Sequence, residues 1–145
     1  MKPLLLLHGA LGSGDQFNEL CTLLRHDYDI HALNFSGHGG NEFPEQDFSI
    51  GLFGIEVLHY MEEKKIESAS FFGYSMGGYV AMYLAKKLSN KVDAVITLAT
   101  KFHWDQEIAA KEIKMLDART IEQKLPAFAS QLEKRHDISG VFQHF

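Results

Sequence analysis

Apolar positions along the chain follow two periodicities that alternate. Short apolar runs occupy Pro3 to Leu7, Tyr28 to Leu33, Ala69 to Gly73 and Ala94 to Ala99. Each has the length of an ordinary strand, about 5–6 residues. Nearly continuous apolar character suits strands covered on both faces, as in a parallel sheet. Between these runs the spacing is helical. Phe17, Leu20, Cys21 and Leu24 share one face of the stretch Asp15 to Arg25. Ile50, Phe53, Val57, Leu58 and Met61 do the same within Ile50 to Lys64. Tyr79 to Leu88 is apolar almost all round in its first two turns, which predicts a deeply packed helix. Strand and helix in alternation predict a doubly wound, mainly parallel α/β sheet with helices on both faces.

After Ala99 the rhythm changes. Asp105 to Leu116 reads as an amphipathic helix with Ile108, Ala109, Ile113 and Leu116 inward. Thr120 with Gln123 forms a capping-box pattern that would open a second helix, carrying Ile121, Leu125, Phe128, Ala129 and Leu132 at helical spacing. Pro126 interrupts that pattern, so the helix either kinks or begins there. Two helices without an intervening strand cannot extend a sheet. The expected organisation is therefore a core over residues 1–100 and a helical cap, or the start of one, over residues 101–145.

Composition narrows the function classes. With 46% apolar and 23% charged residues, the 145-residue chain is ordinary globular material for one domain. A formal net charge of −5 leaves no basic footprint for nucleic acid or an anionic membrane. The four leucines before His8 are too short a run for a signal-peptide core or a membrane span. The cytoplasm is the expected compartment. Cys21, the one cysteine, falls on the apolar face of its helix and reads as a small buried side chain. No Cys, His or carboxylate set has zinc-site spacing, and no G-x-G-x-x-G follows the first strand. Neither a metal nor an organic cofactor is expected.

The chemistry is carried by two glycine-rich turns. Gly73-Tyr74-Ser75-Met76-Gly77-Gly78 is a G-x-S-x-G run placed between an apolar strand and a packed helix, the context of a nucleophile elbow. Such a turn strains the backbone at the serine. Small residues at Gly73 and Gly77 let strand and helix approach, and the helix N-terminus favours negative charge developing at Ser75. His8-Gly9-Ala10-Leu11-Gly12-Ser13 directly follows the first strand. An oxyanion hole needs two backbone N–H donors. The amide of Met76 is one candidate and that of Ala10 the other, with Leu11 in reserve. His8 is read as an anchor of its loop rather than as a base, with Gly9 giving the loop its bend. His38, in Phe35-Ser36-Gly37-His38-Gly39-Gly40 after the second strand, is likewise read as fixing a loop. Tyr74, Phe35, Phe102 and Trp104 are candidate apolar pocket walls, with core or cap packing the competing reading.

A strand leading into HG-x-x-G-S, a strand followed by a G-H-G loop, and GYSMGG after the next strand together resemble the N-terminal half of the α/β-hydrolase family. The likeness covers about residues 3–100, and the cap-like helices more loosely. It implies the spatial strand order 2-1-3-4, which makes the first and third strands neighbours. The loops carrying Ala10 and Ser75 would then meet where open α/β sheets bind ligands. It further implies a serine hydrolase of small or medium acyl esters or thioesters, working through an acyl-enzyme on Ser75.

The family's acid and histidine lie after later strands, and no convincing strand follows Ala99. The expectation is a C-terminally incomplete hydrolase domain, nearly inactive alone, with an uncovered sheet edge at Ala94 to Ala99 that invites self-association. Asp105 reads as a helix N-cap at the cap entrance. His136 reads as a solvated residue at a helix end. Neither these nor His103 and His144 is assigned a catalytic role. The competing readings are a non-catalytic binding protein of the same fold, and a carbon–carbon hydrolase, lyase or acyltransferase using a similar serine. The dehalogenase-like branch is disfavoured because its nucleophile is a carboxylate. A flavodoxin-like binding domain fits GYSMGG poorly.

Overall fold

The computed structural model describes residues 1–137. Its centre is a four-stranded sheet of β1 (Lys2–Leu7), β2 (Tyr28–Leu33), β3 (Ala69–Tyr74) and β4 (Val92–Leu98). All three strand pairs are parallel. The spatial order is β2-β1-β3-β4, the order that the family resemblance implies.

The run of leucines in β1 organises both layers, because successive side chains of a strand point to opposite faces. Leu4 and Leu6 pack with Phe17, Phe72 and the inner face of α1 (Asn18–Leu24). Leu5 and Leu7 pack on the other face with Phe71, with Phe53, Val57 and Met61 of α2 (Ile50–Glu63), and with Val80, Ala81 and Leu84 of α3 (Met76–Lys87). Leu5, Leu6 and Leu7 are fully buried. Both faces of β1 are thus occupied, as unbroken apolar sequence requires. Helix α2 starts where Ser49 accepts the Leu52 amide at 3.0 Å, a standard N-cap.

Several expected boundaries shift for local reasons. The first helical stretch opens as a 3₁₀ turn, Gly14–Phe17, because the Gly14 amide is drawn to Asn34 Oδ1 at 2.6 Å. Cys21 is half-buried rather than buried, at the margin of the α1 layer. Helix α3 begins at Met76, three residues before the apolar pattern starts, since the turn at Ser75 leads straight into it. Strand β4 begins at Val92, with a register irregularity opposite Ala69 and Ser70.

Beyond β4 the chain forms α4 (Gln106–Met115), α5 (Ala118–Lys124) and α6 (Pro126–His136). Asp105 caps α4 as expected, accepting the Ile108 amide at 2.7 Å. The inward face expected for α4 is covered only in its first half, where Ile108 and Ala109 are half-buried. Ile113 is 71% exposed and Leu116 46%, because the main neighbour of α4 is α5 alone. The capping box at Thr120 is also not formed. Helix α5 opens at Ala118 after Asp117, which leaves Thr120 and Gln123 inside it. Pro126 occupies the first turn of α6, so that helix begins at the proline instead of kinking. Ile121 and Leu132 are buried, whereas Leu125 is exposed.

Among the described residues β4 pairs only with β3. Its Ile96 is the register partner of Phe72 and so faces the α1 side, yet it is 60% exposed because α1 covers β1 and β2 instead. No helix among the described residues is long and apolar enough to cross a membrane.

This division of burial makes a measurable contrast. Leu5→Ala removes a fully buried side chain and is expected to cost about 2–5 kcal/mol. Ile96→Ala is expected to stay within about 0.5 kcal/mol. Urea unfolding of the two variants checks this, and equal losses would contradict the burial pattern.

Candidate active site around Ser75

Ser75 is the single residue between β3 and α3. Its φ of 50° and ψ of −112° lie outside the regions a side-chain-bearing residue ordinarily adopts. Holding such a residue costs on the order of 1–3 kcal/mol. Three hydrogen bonds hold it. The Ser75 amide donates to the Leu98 carbonyl at 2.8 Å, and its carbonyl accepts from the Gly78 amide at 3.1 Å. That carbonyl also accepts from Thr100 Oγ1 at 2.9 Å. The hydroxyl makes no capping bond to α3, although Ser75 stands at the N-cap position.

The flanking glycines are needed for space. A Cβ on Gly77 would sit 2.0 Å from the Leu7 carbonyl oxygen, and one on Gly73 would sit 2.4 Å from Gly78 Cα. Backbone therefore rests directly on backbone where α3 enters the sheet. Gly9 brings the second turn to the same place, since a Cβ there would lie 3.1 Å from Ser75 Cβ. The two motifs, more than sixty residues apart in sequence, thus meet at the C-terminal ends of adjacent strands. Gly9 to Gly12 forms a tight turn closed by the Gly12 amide on the Gly9 carbonyl at 3.0 Å. Ala10 is exposed at its first central position, and Leu11 occupies the second with a φ of 59°. Met76 begins α3, so its amide is among the N–H groups without a partner inside the helix.

His8 is fully buried and works as an anchor. Its Nε2 accepts the Phe35 amide at 3.2 Å, which requires that nitrogen to be unprotonated. Nδ1 therefore carries the proton and donates to the Gly9 carbonyl at 2.8 Å. One neutral ring links the loop after β1 to the loop after β2. Burial holds its pKa down at about 4, against the raising effect of the Gly9 bond, with the charges of His38, His136 and Arg135 adding to the depression. His38 anchors the second loop, with Nδ1 on the Ser36 carbonyl at 2.9 Å. Its pKa is lowered chiefly by burial. Phe35 is core and stacks on Phe53 at 4.6 Å, so it is not a pocket wall.

The expectation of a solvated His136 is overturned. It is half-buried, its Nδ1 accepts the Gly39 amide at 3.0 Å, and its Nε2 donates to the Leu11 carbonyl at 3.1 Å. Burial is the main cause of its lowered pKa. Nothing local in the sequence marks these contacts, which span 97 and 125 positions. His103 is exposed and lies 3.7 Å from Asp105, whose carboxylate caps α4. Trp104 and Phe102 are exposed at the surface, and Trp104 bonds to the Tyr79 hydroxyl. His144 lies outside the described residues. No described histidine is hydrogen-bonded to Ser75.

A cavity of about 260 Å³ opens between α5, α6, the loop after β2 and Leu11. Phe43, Phe48, Ile121 and Leu132 give it apolar walls, while His38 and His136 supply polar edges. Ser75 is not among its lining residues; Leu11 connects the cavity to the turn that touches Ser75. No group of three or more His, Cys, Asp or Glu suited to a metal ion occurs among the described residues.

A parallel sheet of order β2-β1-β3-β4 with a strained serine elbow and a glycine turn beside it is the arrangement of an α/β-hydrolase core. The family model for the alpha/beta hydrolase fold matches residues 2–131, and the chain belongs to that family. A human serine hydrolase-like protein is 29% identical over 131 residues, covering 89% of this chain and 64% of that protein. The esterase YbfF of Escherichia coli is 23% identical over 152 aligned positions, covering 99% of this chain and 59% of that protein. The structure of a thermophilic esterase from Thermogutta terrifontis superposes with a TM-score of 0.75 at 20% identity, over 90% of this chain and 48% of that one. The chain thus spans between about half and two thirds of the length of these relatives.

The neutral histidines set an acid sensitivity. His8 is held near 4 in the fold and titrates near 6.5 when unfolded. The unfolded state therefore takes up protons first, and stability falls as pH drops from about 6.5 toward 4. The loss traced to His8 is on the order of 2 kcal/mol by pH 5, with His38 and His136 acting in the same direction. Urea unfolding at pH 7 and pH 5 is expected to show a smaller difference in His8→Asn than in the parent chain. An unchanged difference would mean that His8 is not the buried neutral group.

Proposed function

We propose that Ser75 is the nucleophile of a hydrolase acting on small or medium acyl esters or thioesters. The observation that carries this reading is the strained Ser75 backbone, fixed by three hydrogen bonds with the Gly9 turn against its side chain. Strain of this kind persists where the surroundings over-determine it, and it clusters at reactive positions. The names of the human and Escherichia coli relatives support the same chemistry.

In the proposed reaction Ser75 Oγ adds to the acyl carbon, and the carbonyl oxygen becomes an oxyanion held by the amides of Ala10 and Met76. Collapse breaks the bond to the alcohol or thiol, which leaves with the serine proton. Water then cleaves the acyl-serine and restores the hydroxyl. No metal or organic cofactor takes part. In this reading α4–α6 act as a cap beside the site, and the cytoplasm is the proposed compartment.

A serine without a base is a weak nucleophile, and His8 and His136 have both ring nitrogens committed. This favours one second reading, a non-catalytic binding protein that retains the elbow. Residues 1–145 are accordingly expected to turn over an activated short-chain aryl ester only weakly, through the unassisted Ser75 hydroxyl. Ser75→Ala is expected to remove that turnover. Full-rate, Ser75-dependent turnover would show that a base is already present, and turnover indifferent to Ser75 would remove the serine reading.

Ala10 offers a cleaner probe of the oxyanion site. Proline is favoured at the first central position of a tight turn, so Ala10→Pro deletes the N–H while keeping the bend. The expected loss is about 10²–10³-fold in Ser75-dependent turnover, against little change for Ala10→Gly. Equal losses from both would place the effect in the loop and not in its amide.

A further inference from the structure

Leu11 is a branched, non-glycine residue held at a φ of 59°, inside the turn that touches Ser75. Left-handed backbone is disfavoured for a residue with a Cβ, so the conformation needs support from outside the turn. The closing bond from Gly12 to Gly9 is part of that support. The rest comes from far along the chain. The Leu11 carbonyl accepts Arg135 Nη1 at 2.7 Å and His136 Nε2 at 3.1 Å. Both donors stand on the last turn of α6.

The chemistry of the two donors differs usefully. The guanidinium bond is charge-assisted, about twice as strong as a neutral one. The imidazole bond is directional, because Nδ1 accepts the Gly39 amide and leaves only Nε2 to donate. One ring thereby ties the loop after β1 to the loop after β2, while its neighbour locks the same carbonyl from a second direction. Rotation of the Leu11 peptide would break both bonds together.

We propose that Arg135 and His136 are positioning residues that hold the Gly9–Gly12 turn, and with it the Ala10 and Leu11 amides, in the geometry that faces Ser75. This rests on the reading of Ser75 as the nucleophile. Neither residue touches the reacting atoms. Leu11 and His136 also line the cavity beneath α5 and α6. A group seated there contacts both ends of the clamp, so occupancy of the cavity and order in the turn support each other.

The test uses the full 145-residue chain and an arylboronic acid, whose adduct with a serine oxygen presents an oxyanion-like hydroxyl to the same donors. Arg135→Ala is expected to weaken that adduct by about 10–100-fold, the scale of a misplacement of roughly 1 Å. Amide hydrogen exchange over residues 9–12 should accelerate in the same variant. Arg135→Lys, which keeps a cationic donor, should recover most of both effects, and His136→Gln should give an intermediate loss. Circular dichroism confirms that each variant is folded, and the milder His136→Gln carries the test if Arg135→Ala is not. Unchanged boronate affinity in folded Arg135→Ala and His136→Gln would overturn the proposal, as would faster exchange without loss of affinity. Ser75→Ala separates the two readings. If it binds the boronate as tightly as the parent, the nucleophile assignment fails, whatever Arg135 does.

Discussion

The arrangement depends on one close approach, that of the first turn of α3 to the ends of β1 and β3. Gly77 lies so near the Leu7 carbonyl that no side chain fits, and Gly73 meets Gly78 in the same way. This contact fixes the direction in which α3 leaves the sheet and forces the turn at Ser75 into its strained backbone. It also sets the strand order to work. With β1 and β3 adjacent, the loops at their C-terminal ends share one point of space. A doubly wound sheet with another order would carry the same two motifs without bringing them together.

Around that point the loops are held by neutral imidazoles. His8 bridges from Gly9 to Phe35, and His136 bridges from Leu11 to Gly39. His38 lies between them, 5.0 Å from the first ring and 5.6 Å from the second. A neutral imidazole suits this work because one nitrogen donates and the other accepts, so a single side chain satisfies a buried N–H and a buried C=O. A charged ring could only donate. Desolvation holds the three rings neutral, and the same burial withholds His8 from proton transfer with Ser75. Anchoring and general-base catalysis are competing uses of such a ring.

Much of this was legible in the sequence, and most of what was not shares a cause. The leucines of β1 announced a strand buried on both faces, and each of them found its layer. GYSMGG declared an elbow because its glycines answer a local steric demand. Asp105 was readable as a cap because its partner is three residues away. The errors came where burial depends on a distant neighbour. Ile113 and Leu116 have helical spacing, but periodicity reports only that a face is apolar and not that anything covers it. His136 stood beside two basic residues and looked solvated, whereas its partners lie near the other end of the chain. Thr120 and Gln123 fitted a capping pattern that Asp117 had already displaced upstream.

The two layers of the molecule are therefore held by different forces. The sheet, α2 and α3 share a continuous apolar core in which Leu5, Leu7, Phe71 and Val80 are almost fully enclosed. The α4–α6 segment contributes only Ile121 and Leu132 to the buried apolar residues. Its remaining hold on the described core includes the polar contacts of Arg135 and His136 with the loops near Ser75. Regions with few buried apolar contacts open at lower free energy than the core. Such an opening is expected to separate α6 from Leu11 before it disturbs the sheet. The strain of the elbow is held by Leu98, the last residue of β4, and by Thr100 just beyond it. The turn beside it draws part of its support from α6, through Arg135 and His136 on the Leu11 carbonyl. Access and donor geometry thus depend in part on the weaker layer, while the serine itself is held by the stronger one.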